Sequence, residues 1–103
     1  MIINDSGDHI ILIGDPFGSR LDKLTFQPVS SSRKTNIEIF IKDETNSVHF
    51  LIMHELPPIP AGGIGYYHFY DKQLPPFWRV SVKLGIVDCE FNVQCKYSCL
   101  LDD

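Results

Sequence analysis

The chain is poor in helical periodicity. In no window of ten or more residues do apolar side chains recur at three- and four-residue spacing. At most one short helical turn is expected, at GSRLDKL from Gly18 to Leu24. No apolar run approaches the roughly 18–20 residues of a membrane span, so no membrane association is expected. Basic residues are few, 9 Lys and Arg against 13 Asp and Glu, and the net charge is −4. Nucleic-acid binders usually carry a basic stripe, so direct nucleic-acid contact is not expected. Cysteine is sparse and odd in number, at three. A secreted disulfide scaffold more often has an even, denser set. The start, MIINDSGDHIILIGD, holds Asp5 and Asp8, has no early Lys or Arg, and lacks the cleavage site of a secretory signal. The expected location is the cytoplasm, unless a leader has been removed.

Catalytic motifs are missing as well. There is no G-x-S-x-G, no P-loop, and no G-x-G-x-x-G leading into a helix. GGIGYY leads into a strand pattern instead. His54-Glu55 is followed by Pro57 and Pro58, so it is not the start of a metal-binding helix. Asp88 and Glu90 pair carboxylates about 6–7 Å apart along a strand, but exposed strand carboxylates are ordinarily solvated. No enzyme, cofactor or metal site is expected. His9, His49, His54 and His68 read as surface or boundary residues.

What is present is strand pattern. At 103 residues, 44% hydrophobic and 21% charged, the chain has the make-up of one globular domain spanning 1–103. HIILI (His9 to Ile13) is a short apolar run bounded by turn residues and reads as a buried strand. NIEIFIK (Asn36 to Lys42) puts Ile37, Ile39 and Ile41 on one face. DETN, Asp43 to Asn46, makes a tight loop, and SVHFLIM returns with Val48, Phe50 and Ile52 on one face. LPPIPAGGIG, from Leu56, cannot sustain a ladder and reads as a long loop. GYYHFYD sets Tyr67 and Phe69 against Tyr66, His68 and Tyr70. DKQLPP, Asp71 to Pro76, reads as a second connection. FWRVSVKL places Trp78, Val80, Val82 and Leu84 inward, with Arg79, Ser81 and Lys83 outward. The predicted fold is all-β: a single-domain antiparallel β-sandwich or small barrel of about six to eight strands.

The last stretch, VDCEFNVQCKYSC, alternates from Val87 to Cys99. Cys89, Cys95 and Cys99 share the apolar parity, and equal parity on a strand means one face. A flat strand would hold Cys95 and Cys99 ~13 Å apart, too far to clasp one ion or each other. Core packing is the leading reading of the three thiols, ahead of a disulfide or a metal or redox role. A single bent strand is preferred, with a three-residue loop around Glu90 to Asn92 as the alternative.

Binding features carry more. Tyr66, His68 and Tyr70 project from one strand face with Asp71 beside them, and rings of this kind are enriched at interfaces. If a second sheet covers that face, these rings are core instead. Glu38, Asp43, Glu44, Asp88 and Glu90, with Asp102 and Asp103 at the C-terminal tip, could steer a basic partner or be a solvated surface.

NIEIFIKDETNSVHFLIM, the aromatic GYYHFYD segment and the acidic balance together give the chain a whole-chain similarity to bacterial contact-dependent growth inhibition immunity proteins. The resemblance implies a non-enzymatic inhibitor that covers the active site of a basic toxin domain, a ribonuclease foremost. A monomer or weak dimer is expected, since an exposed sheet edge could pair with itself. The other expectation is a β-sandwich module that binds a small molecule or carbohydrate through Tyr66, Tyr70 and Trp78.

Overall fold

The computed structural model describes residues 1–85 and 88–102. Eight strands form: β1 (Ile2–Ile3), β2 (Asp8–Ile13), β3 (Ser19–Pro28), β4 (Thr35–Lys42), β5 (Val48–Leu56), β6 (Gly65–Leu74), β7 (Arg79–Leu84) and β8 (Phe91–Cys99). A single 3-10 turn, Leu100–Asp102, follows. The strands make two four-stranded sheets, β1-β8-β3-β6 and β2-β7-β4-β5. Every pairing is antiparallel. The all-β sandwich expected from the alternation is what the chain builds.

The order has a simple logic. β4 pairs with β5, β3 with β6, β2 with β7 and β1 with β8. The chain is one long ribbon, folded back at the β4–β5 turn and wrapped so that successive pairs alternate between sheets. This is the jelly-roll solution to closing antiparallel strands over one core.

That core lies between the sheets. Leu24, Phe26, Phe91 and Val93 face inward from the first sheet. Ile37, Ile39, Ile41, Val80, Val82 and Leu84 face inward from the second, and all ten are at most 1% exposed. Alternation accounts for them: each strand turns every second residue to the core.

Several local readings need correction. GSRLDKL is not a helical turn but the start of β3. A register shift between Leu21 and Lys23 makes Asp22 the extra residue of a bulge against β8, so Leu21 and Leu24 both face inward. Three-residue spacing of two buried leucines looks helical in sequence. HIILI lies at a sheet edge, so Ile10 and Ile13 keep 37% and 55% exposure rather than being fully buried. DKQLPP is shorter as a connection than expected, because β6 continues to Leu74. Ser81 points outward yet is fully buried.

β8 is one strand with no turn at Glu90 to Asn92, but it begins at Phe91. Cys89 therefore precedes the strand and packs beside the core from a bend, its Sγ 3.8 Å from the Ser30 carbonyl oxygen. Cys95 and Cys99 are half-buried on the inward parity, and all three thiols are free. Asp88 and Glu90, expected on the outward face of the strand, likewise sit ahead of it. Val87 and Asp103 lie outside the described residues.

Candidate functional site

The functional question turns on the outer face of the first sheet. β6 must turn Tyr66, His68 and Tyr70 outward, because Tyr67 and Phe69 take the inward positions against the core. The second sheet does not cover these rings. Tyr66 is 44% and Tyr70 85% exposed. The Tyr66 and His68 rings are stacked, 5.8 Å apart with an interplanar angle of 19°.

The neighbouring strands supply charge. Lys23 on β3 stands opposite His68 on one side and opposite Lys96 of β8 on the other. A row Lys96, Lys23, His68 thus crosses three strands. Like charges directly opposed across strands are destabilising. Neither lysine has a carboxylate within ion-pair distance among the described residues. Lys23 rests instead over the Tyr66 ring, 5.2 Å from its centroid.

Hollows open on this sheet, two of them beside Lys96. One, of about 180 Å³, is lined by Lys23, Thr25 and Gln27, by Ile64 and Tyr66, and by Asn92, Gln94 and Lys96. A wider one, of about 710 Å³, lies against the β3 bulge, where Arg20, Asp22, Phe69, Asp71 and Tyr97 line it. Lys96 borders both. Cys95 lines the wider hollow, but burial, helped by the charge of Asp22, pushes its thiol up to about 12. It is not a nucleophile near neutral pH. The face therefore offers a ring platform, two ammonium groups without an ion-pair partner among the described residues, and three amides, which is recognition chemistry.

Apart from Asp71, the expected carboxylates do not join it. Glu38 is on the outer face of the second sheet, in register between Lys83 and Met53. Asp43 and Glu44 lie in the β4–β5 turn. The Asp43 carboxylate accepts hydrogen bonds from the Thr45 and Ser47 backbone N–H groups, the Thr45 hydroxyl at 2.6 Å and the His49 ring at 2.8 Å. Thr45 and His49 above all hold that carboxyl far below the usual range. Its hydrogen-bonding capacity is spent within its own turn. Asp88 accepts from the Arg33 backbone N–H at 3.2 Å, near the other end of β4. Glu90 is exposed beside the start of β8. So only Tyr66, His68, Tyr70 and Asp71 of the expected partner-binding residues share a strand. Trp78 also departs from the ligand-binding expectation. It packs at the end of the second sheet, its ring 4.2 Å from that of His49.

Sequence reading passed over Lys23, Thr25 and Gln27, since β3 was not recognised as a strand. Their alternation with Leu24 and Phe26 was the available signal. No protein-family model, curated protein or solved structure matches the chain significantly.

Proposed function

We propose that this protein is a non-catalytic binding protein, and that the outer face of the β1-β8-β3-β6 sheet holds an acidic oligosaccharide. The observation that carries the reading is the hollow in which Tyr66, Lys23, Lys96, Gln27, Asn92 and Gln94 converge. A sugar ring has an apolar C–H face that packs on an aromatic ring, and hydroxyls that both donate and accept. Amide side chains answer such hydroxyls with donors and acceptors of their own. The two lysines add preference for a carboxylate or sulfate on the sugar. At about 180 Å³ the hollow falls below the roughly 300 Å³ that encloses a drug-sized molecule, so it takes one unit of a chain. The wider hollow beyond Lys96 receives the next. The test is isothermal titration calorimetry with uronate-containing and neutral oligosaccharides. Acidic chains should bind more tightly, and Tyr66→Ala should weaken them about tenfold, roughly 1.4 kcal/mol. Absence of binding across both sets would sink the reading.

A second reading, a toxin immunity protein, draws support from the prominence of Tyr70 beside Asp71 and from the net charge of −4. With its carboxylates scattered, such an inhibitor would grip a basic nuclease through aromatic anchors rather than by imitating phosphates. Affinity capture from the native lysate at low and high salt tests it. A single stoichiometric basic partner, partly released by salt, is the expected result; no protein retained under either wash would count against it.

A further inference from the structure

Each sheet of the sandwich has two edge strands, and an edge strand presents unpaired N–H and C=O groups that invite another strand. Three of the four edges are protected. β1 is two residues long. β2 begins at Asp8 and breaks register between Ile10 and Leu12. On β6, Phe69, Tyr70 and Asp71 stand opposite Asp22 alone. Asp71 there is in the left-handed region at φ 50°, and Lys72 reaches inward over the Phe50 ring, 3.5 Å from its centroid.

β5 has no such device. It runs nine residues, VHFLIMHEL, without proline, glycine or lysine, and its only carboxylate is Glu55. Its register against β4 slips once, between Ile41 and Lys42, where His49 is the extra residue; from Phe50 onward it is regular. Val48, Phe50, Leu51 and Met53 are 51%, 51%, 52% and 73% exposed. A β-prone run with a single carboxylate at its far end, on an open edge, is a strand-pairing site.

We infer that β5 pairs antiparallel with β5 of a second copy of this chain, making one continuous eight-stranded sheet across a two-fold axis. The sequence of the strand specifies the register. Opposed residues in an antiparallel pair share a face, so an axis through a residue keeps core-facing and outward residues matched. An axis through Ile52 matches the regular stretch from Phe50 to His54. It sets Leu51 of one copy against Met53 of the other, and Phe50 against His54. Ile52 meets itself. The exposed apolar side chains of Leu51 and Met53 cover one another. This is the self-complementarity that an isologous dimer requires.

Sedimentation velocity between about 1 and 100 µM tests the inference. The expected species at the upper end has twice the 11.8 kDa mass of the chain. Met53→Lys and Leu51→Lys change exposed side chains, so far-UV circular dichroism should stay native while dimer affinity falls at least about tenfold. Hydrogen exchange adds a local readout: β5 amides should gain protection with concentration in the native sequence and not in Met53→Lys. A monomer at about 100 µM overturns the proposal and leaves the edge for an extended segment of another protein. A dimer that survives both lysine substitutions with β5 amides unprotected overturns it too, since association then uses another face.

Discussion

Ser81 gives a test in which removing a polar group should stabilise the protein. It lies on central strand β7, opposite Ile10 of β2 and Phe40 of β4. Lys42 stretches across this face, its ammonium 5.4 Å from the Phe40 ring and ion-paired with Asp8. Ser81 is 0% exposed, and its hydroxyl has no partner among the described residues. A buried unmatched hydroxyl costs about 1–3 kcal/mol of desolvation. Ser81→Ala removes that cost. It also forfeits several atom contacts at about 0.1–0.2 kcal/mol each, and alanine is a weak strand former. The expected balance is a gain of about 1 kcal/mol, or about 4–8 °C in Tm for a domain of this size. Urea unfolding should show a higher midpoint with an unchanged slope. Ser32→Ala is the contrasting control: Ser32 is also buried, but its hydroxyl accepts from the Ile59 N–H at 3.3 Å. The same substitution there should cost about 1 kcal/mol. If Ser81→Ala proves as destabilising as Ser32→Ala, the Ser81 hydroxyl is bonded and the reasoning fails.

Two further outcomes follow from the titratable groups. The Asp43 carboxyl is held below its ordinary 3.8 by the hydrogen bonds of its turn, so its contribution to stability is in full force above about pH 5 and lost as pH falls through 3.8 and below. Asp43→Ala should lower Tm at neutral pH and flatten its dependence between about pH 5 and 2; a native-like acid limb in the variant would contradict this. Cys95, raised by burial, should resist alkylation in the folded protein near pH 8. Mass spectrometry should find it unmodified until denaturant is added, and labelling at the rate of a free thiol would show that the site is open.

How much of this was legible in sequence varies by element. β4 and the β4–β5 hairpin were readable because Ile37, Ile39 and Ile41 alternate without interruption and the polar turn follows at once. The outward set of β6 was readable for the same reason. β3 was hidden by its bulge, which breaks the period of two where Leu21 and Leu24 need it. The binding face was half visible. Tyr66 and His68 announce themselves, whereas the Lys23–Lys96 pairing exists only once β3 lies between β6 and β8. The carboxylates misled because sequence counts charge without placing it. Glu38 belongs to one sheet face, Asp43 to its own turn and Asp88 to the Arg33 backbone.

The ribbon order has a consequence for how the chain comes off the ribosome. Only β4 and β5 are both consecutive in sequence and paired in a sheet. Each later pair closes a longer loop, and β3 has no partner on one side until β8 arrives. A nascent chain that stops short of β8 can zip its central hairpin but leaves a core strand bare. Folding of this topology therefore waits for β8 and proceeds at the slow pace of non-local strand pairing. During that interval an exposed adhesive surface is the apolar run of β5 from Phe50 to Met53, which emerges before its neighbours are complete.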